Sequence, residues 1–178
     1  MGIRVEPGGS VLERARRGDA AAFTQLVGTH HAELVRVAYL VCGDQDLARD
    51  AAQAAWIKAW QGLPALRNPE RLRPWLLSIA ANEARQIVRS RRRRPVVQID
   101  AVLVEPSSAG PSPDRVDLIA ALGSLTPADR SLLALRYVAG IETEAIARAT
   151  GRTASGTRTR LSRLLARLRE EVGDVPDR

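Results

Sequence analysis

Residues 71–94 read RLRPWLLSIAANEARQIVRSRRRR. Leu72, Leu76, Ile79, Ala80, Ala84, Ile87 and Val88 recur at spacings of three, four and one, the period of a helix that turns one face to a core. Ser78, Asn82, Arg85, Arg89 and Arg92 form a second stripe, polar at first and then increasingly cationic. Four consecutive arginines, Arg91 to Arg94, close the segment. Such a helix buries one side in its own domain and offers the other to something with regularly spaced negative charge. A charge run standing alone is commonly a solvated face, so the rest of the chain must decide between the two readings.

Composition narrows the choice. A chain of 178 residues has room for one large domain or two small ones. A hydrophobic share of 45% supports packed cores, and the scarcity of aromatics beside abundant Ala and Leu favours helix over strand. The formal net charge is +7 and the pI about 11.0, and Lys58 is the only lysine. A basic excess carried by arginine, whose planar fork grips phosphate in two places, points to nucleic acid or an anionic membrane surface. No apolar run is long enough to span a bilayer and the N-terminus has no export segment, so a cytoplasmic protein without membrane insertion is expected. Cys42 stands alone, which excludes an intrachain disulfide and a cysteine metal cluster; no cofactor is expected.

Upstream of the basic helix, residues 1–10 carry Pro7, Gly8 and Gly9 and are expected to be disordered. Ser10 can cap a short helix to about Arg17, and Asp19 a longer one in which Phe23, Leu26, Val27, His30, Leu34, Val37, Ala38 and Val41 keep helical period. His30 lies on that stripe and reads as a hydrogen-bonded interhelical residue; His31 beside it diverges, so the pair cannot chelate one metal. Gly43 breaks the helix, and Asp44 or Asp46 caps DQDLARDAAQAAWIKAW, which runs to about Gln61. One side of that helix carries Asp46, Asp50, Gln53, Trp56 and Trp60. Two tryptophans four apart beside acids suit a protein-binding surface with aromatic anchors, or place one indole in the core. A metal-dependent nuclease would need a second acidic or His cluster, which is not there. Residues 62–70 form a Pro/Gly loop that sets Arg67 and Asn68 beside the start of the basic helix.

Downstream, residues 95–113, PVVQIDAVLVEPSSAGPSP, have four prolines, three serines and no period, and read as an acidic linker. Residues 114–172 form a second helical module, followed by a tail at 173–178. Thr126-Pro127-Ala128-Asp129 is a helix start that runs to about Val138 or Ala139. A helix of about two turns follows from Glu142 to Thr150, with Ala145, Ile146 and Ala149 inward, and Gly151 turns the chain. Thr153 caps a long helix with a seam of Leu161, Leu164, Leu165, Leu168 and Val172. Helix, glycine turn, cationic helix is the helix-turn-helix pattern. Its first turns reach the major groove. There Thr153, Ser155, Thr157 and Thr159 offer hydroxyls, Gly156 allows close approach, Arg158 and Arg160 reach base edges or phosphates, and Arg163 and Arg167 meet the backbone.

In this order the stretches AAFTQLVGTHHAELVRVA, DLARDAAQAAWIKAW, RPWLLSIAANEARQIVRSRRRR and LTPADRSLLALRYVAGIETEAIARATGRTASGTRTRLSRLLARLR resemble the extracytoplasmic-function group of bacterial RNA polymerase sigma factors, over about residues 11–172. The resemblance implies an all-α fold of two small helical domains, region 2 at 11–94 and the helix-turn-helix region 4 at 114–172, joined by a flexible linker. It implies that Asp46, Asp50, Gln53, Trp56 and Trp60 bind the core polymerase. The family usually has a glutamate where Ala54 stands. It implies that Arg67, Asn68, Trp75, Asn82, Arg85, Arg89 and Arg92 recognise and melt the minus-ten element. The minus-thirty-five element would fall to Thr153, Ser155, Gly156, Thr157, Arg158, Thr159, Arg160 and Arg163. The implied partners are core RNA polymerase, promoter DNA and an anti-sigma factor, and the work is binding rather than catalysis. A stand-alone helix-turn-helix regulator is the alternative from another class; it accounts for residues 126–170 and leaves the tryptophan-bearing acidic helix without a task. An RNA-binding helical protein would suit the arginines but lacks stacking platforms.

Overall fold

The computed structural model describes residues 10–93 and 113–172. The expected disordered start, Arg94, the linker as far as Ser112 and the tail at 173–178 lie outside the described residues. Pro113, read as linker, opens a helix. Eight α-helices account for most of what is described, and the described residues carry no strand.

Helix α1 (Val11–Arg16) starts at a reciprocal cap: the Ser10 hydroxyl accepts from the Glu13 N–H, and the Glu13 carboxylate accepts from the Ser10 N–H. Asp19 caps α2 (Ala20–Cys42) by accepting from the Ala21 and Ala22 amides at 2.9 and 3.1 Å, and left-handed Gly43 ends it. Asp44, not Asp46, caps α3 (Gln45–Gly62), accepting from the Leu47 N–H at 2.9 Å. Two 3-10 turns, Leu63–Ala65 and Pro69–Arg71, lead into α4 (Leu72–Arg93).

Helices α2, α3 and α4 pack against one another, with α1 laid on α2. Ala51, Ala52, Ala55 and Ala59 of α3 and Ala80, Ala81 and Ala84 of α4 are buried among the packed helices, and side chains this small let helix backbones come close. Leu34, Val37 and Val41 of α2 fill the third side. The stripe read from the sequence is buried at Leu72, Leu76, Ala80 and Ala84, while Ile79, Ile87 and Val88 lie at its edge. Leu77 and Ala81 are buried as well, because α4 is gripped from two sides and needs a wider apolar face than one neighbour would demand.

Polar contacts also tie these helices. Glu83 is buried on α4 and accepts from Lys58 Nζ at 2.6 Å and from Gln86 Nε2 at 3.3 Å. A carboxylate withdrawn from water in this way requires a cation, and the chain's one lysine supplies it. The Trp56 indole N–H donates to His31 Nδ1 at 3.2 Å, so the interhelical imidazole is His31 and not His30. One residue is a rotation of about 100° on a helix, and α3 meets α2 on the His31 side. His30 is half-buried, and burial is the main cause of its lowered pKa. Burial likewise pushes the Cys42 thiol up to about 12; it lies 3.8 Å from the Ala84 carbonyl, as a weak donor between α2 and α4.

The second lobe begins with α5 (Pro113–Ser124). Thr126 caps α6 (Pro127–Leu133), accepting from the Asp129 N–H. Where one continuous helix was expected, α6 widens into a π turn at Ala134–Val138, in which the Ala139 N–H reaches back to the Ala134 carbonyl at 2.9 Å. Gly140 then takes a positive φ of 62°. Helix α7 (Thr143–Thr150) ends at left-handed Gly151, and α8 (Ala154–Val172) follows. On α7 the buried residues are Ile146 and Ala147; Ala149, expected inward, is exposed because only a narrow face of this short helix meets its neighbours. The Thr153 hydroxyl accepts from the Gly156 N–H at 3.2 Å, and a Cβ at Gly156 would lie 2.8 Å from that oxygen, so this cap requires glycine. Helix α8 buries Leu161 and Leu164, and leaves Leu165, Leu168 and Val172 half-buried. The two lobes are not separate beads. Helix α2 packs on α6 and the π turn, α4 packs on α6 and α7, and buried side chains from both lobes join one cluster.

Candidate nucleic-acid interface

Three surfaces carry the residues singled out in the sequence. On α3, Asp46, Asp50, Gln53 and Trp60 share one exposed stripe. Ile57 falls on the same stripe and is 58% exposed; its spacing from Asp50, Gln53 and Trp60 was the signal that sequence reasoning passed over. Trp56 is 8% exposed and sits edge-on to Phe23, with ring centroids 5.6 Å apart. It is therefore corrected from a surface anchor to a core residue. Trp60, 40% exposed, rests on the same Phe23 at 4.8 Å, which holds its indole ready at the surface.

The second surface is the start and outer face of α4. Arg67 and Asn68 are exposed on the preceding loop, where the Asn68 carboxamide oxygen accepts from the Glu70 N–H at 2.9 Å. The half-buried Trp75 ring lies against Gly62, where a Cβ would come within 2.9 Å of it. Asn82 and Arg89 are exposed, and Arg85 donates to Asn82 Oδ1 at 2.9 Å. Arg92 lies in the last turn of the helix. Burial, and then the like charges of Arg152 and Arg89, pull the Arg85 pKa below its ordinary value. Arg152 belongs to the turn before α8, so cations of the two lobes crowd one another here.

The third surface is the first part of α8. Ser155, Gly156, Arg158, Thr159 and Arg163 are exposed. Two expected readers are engaged within the protein itself. Thr157 is 1% exposed and donates its hydroxyl to the Thr153 carbonyl at 2.9 Å, so it belongs to the helix and not to a groove. Arg160 donates Nε and Nη2 to Asp129 at 2.8 and 2.6 Å. The Asp129 carboxylate, 7% exposed, also accepts from the Thr126 hydroxyl at 2.8 Å. The hydrogen bonds from Arg160 hold that carboxyl below the usual carboxylate range. The Arg160 fork is thus occupied in fixing α8 to α6. Thr153 spends its hydroxyl on the cap. Arg158 donates to Glu144 at 2.7 Å, but both groups are in water, and such a pair opens at little cost. Arg167 is held by Glu171 and Ser124.

Residues 26–94 match the Sigma-70 region 2 family, and residues 115–168 match the Sigma-70, region 4 family. The RNA polymerase sigma-E factor of Streptomyces antibioticus is 30% identical over 161 residues, which cover 88% of this chain and 87% of that one. CarQ, an RNA polymerase sigma factor of Myxococcus xanthus, is 29% identical over 92% of this chain and 97% of its own. RfaY of Xanthomonas campestris, a probable RNA polymerase sigma factor, is 30% identical over 90% of this chain, which spans only 43% of RfaY's length. Among solved structures, the sigma factor RpoE of Bartonella quintana, in complex with the anti-sigma factor NepR, superposes with a TM-score of 0.70 at 26% identity, covering 84% of this chain and 96% of that one.

Proposed function

The chain belongs to the extracytoplasmic-function group of the sigma-70 family, and from that premise we propose that it binds core RNA polymerase in the cytoplasm, directs it to a set of promoters and starts transcription there. The observation that carries the reading is the separation of surfaces. An acidic, aromatic-tipped stripe on α3 stands apart from cationic faces on α4 and α8. A stand-alone DNA-binding regulator has no use for the first of these.

In this reading Asp46, Asp50, Gln53, Ile57 and Trp60 meet the polymerase. Arg67, Asn68, Trp75, Asn82, Arg85, Arg89 and Arg92 hold the opened minus-ten strand. Arg158, Thr159, Arg163, Ser155 and Gly156 face the minus-thirty-five groove, with Thr153, Thr157 and Arg160 holding the helix that presents them. The chain acts by binding. Unstacking costs a few kcal/mol per step, which captured bases and phosphate contacts offset. An anti-sigma factor is the proposed inhibitor, on the strength of the NepR-bound relative and of an apolar groove on this chain between Leu40 of α2 and Leu133, Tyr137, Leu165 and Leu168 of the second lobe. Gel filtration with purified core polymerase tests the first step: co-elution is expected, and independent elution with tight duplex binding would favour the stand-alone regulator.

A further inference from the structure

Trp60 tips the α3 stripe proposed to meet the polymerase, and what fixes its ring lies behind that stripe. A half-exposed tryptophan has several rotamers open to it and is held by whatever it rests on. Here that is Phe23 of α2, edge-on at 4.8 Å with the ring planes at 71°. Phe23 meets Trp56 as well, at 5.6 Å with the planes at 90°. Phe23 is itself only half-buried, so its place depends on the indole behind it. Trp56 is 8% exposed, and an indole N–H so far from water needs an acceptor. His31, on the exposed side of α2, supplies one with Nδ1 at 3.2 Å. An imidazole that accepts there carries its proton on Nε2. The series His31, Trp56, Phe23, Trp60 thus runs between α2 and α3 and ends at the surface.

We infer that His31, which lies outside the polymerase stripe, is a positioning residue for Trp60 and acts through Trp56 and Phe23. The inference rests on the reading of α3 given in the previous subsection. With its N–H drawn to His31, the Trp56 indole has one orientation, and Phe23 meets it at a right angle. Without the acceptor the buried N–H is an unpaired donor, and the indole is driven to turn toward another partner. Phe23 and Trp60 then lose a fixed backing. Molecules with Trp60 in its docking rotamer bind at full strength, and the apparent affinity scales with their population.

Asparagine tests the acceptor directly, because its Oδ1 hangs from Cγ as the imidazole Nδ1 does and also accepts. Full-length wild type, His31→Ala and His31→Asn are compared by two readouts. One is the indole N–H signals in proton–nitrogen spectra, with the Trp60 signal assigned by its loss in Trp60→Ala. The other is affinity for core polymerase. His31→Ala should shift the Trp56 and Trp60 signals and weaken core binding about fivefold, the scale of one neutral hydrogen bond. His31→Asn should return signals and affinity toward wild type, with helix content by circular dichroism unchanged throughout. A Trp60 signal and an affinity unmoved by His31→Ala overturn the inference, as does a loss that His31→Asn fails to restore. If His31→Ala loses helix content, Phe23→Leu decides. It breaks the series beyond the His31–Trp56 bond, so the Trp60 signal should move and core binding weaken; an unmoved Trp60 signal overturns the inference. Wild-type core affinity in Trp60→Ala would instead sink the reading of the stripe, while the Trp60 signal still reports whether His31 positions that ring.

Discussion

Among the described residues, each lobe sets one carboxylate under a tenth exposed against a cation, and the two lobes draw that cation from different places. In the first lobe Glu83 takes Lys58 from α3, and the arginines of α4 stay at the surface. In the second lobe Asp129 takes Arg160 from α8, the helix proposed to face the groove. In the first lobe the pair thus draws its cation from a helix other than α4, whereas in the second it draws it from α8 itself, the helix proposed to read that groove. A substitution that weakens the first lobe's pair should leave DNA binding intact in whatever fraction remains folded. The same operation on the second lobe's pair should disturb both.

The largest effect expected is that of Asp129→Ala. Asp129 is 7% exposed but its partner Arg160 is 47% exposed, so the cost is that of the lost hydrogen bonds from Arg160 and from the Thr126 hydroxyl, about 2–3 kcal/mol. Urea melts should show that loss, together with weaker duplex binding at matched folded fraction; retained binding would break the comparison. Lys58→Ala comes next, at about 1–2 kcal/mol for a carboxylate left with only Gln86, with strand affinity per folded molecule unchanged. Arg158→Ala should leave the melt unchanged, because its pair with Glu144 is exposed. It should cost about 1 kcal/mol of discrimination between a preferred and an unrelated duplex, at the low end for one base contact.

Acid sharpens the contrast further. The folded pKa of Asp129 is depressed, so the pair's contribution is complete above the ordinary carboxylate value, about 3.9, and is lost as pH falls through the folded value. The stability gap between wild type and Asp129→Asn should therefore be full at neutral pH and narrow below about pH 4, as read by urea melts across pH. Smallest of all, Arg91→Ala on the exposed end of α4 should weaken binding evenly on every sequence and lower the log–log salt slope by about 0.9.

What was legible in the sequence was local. Ser10, Asp19, Thr126 and Thr153 were read as caps because a cap is decided within four residues, and Gly43 and Gly151 as turns for the same reason. The succession of helices and the cationic faces followed from period and charge. The missed features all depend on what lies opposite. Trp56 enters the core because Phe23 waits across the seam, and Ile57 is left outside by the same rotation. Arg160 and Thr157 look like readers until α6 and the helix's own backbone claim them. Glu83 looks like surface charge until Lys58 is seen beside it. The π turn after Leu133 has no composition of its own, and the closing of α7 over the first lobe is a matter of docking that no single helix announces.

The most direct test is to map transcript 5′ ends made by core polymerase on genomic fragments, with and without the purified chain. New start sites that share upstream elements are expected, and they should vanish with Ile57→Glu while that variant keeps its wild-type melt. An unchanged pattern of start sites on every template would contradict the assignment of this chain to promoter selection.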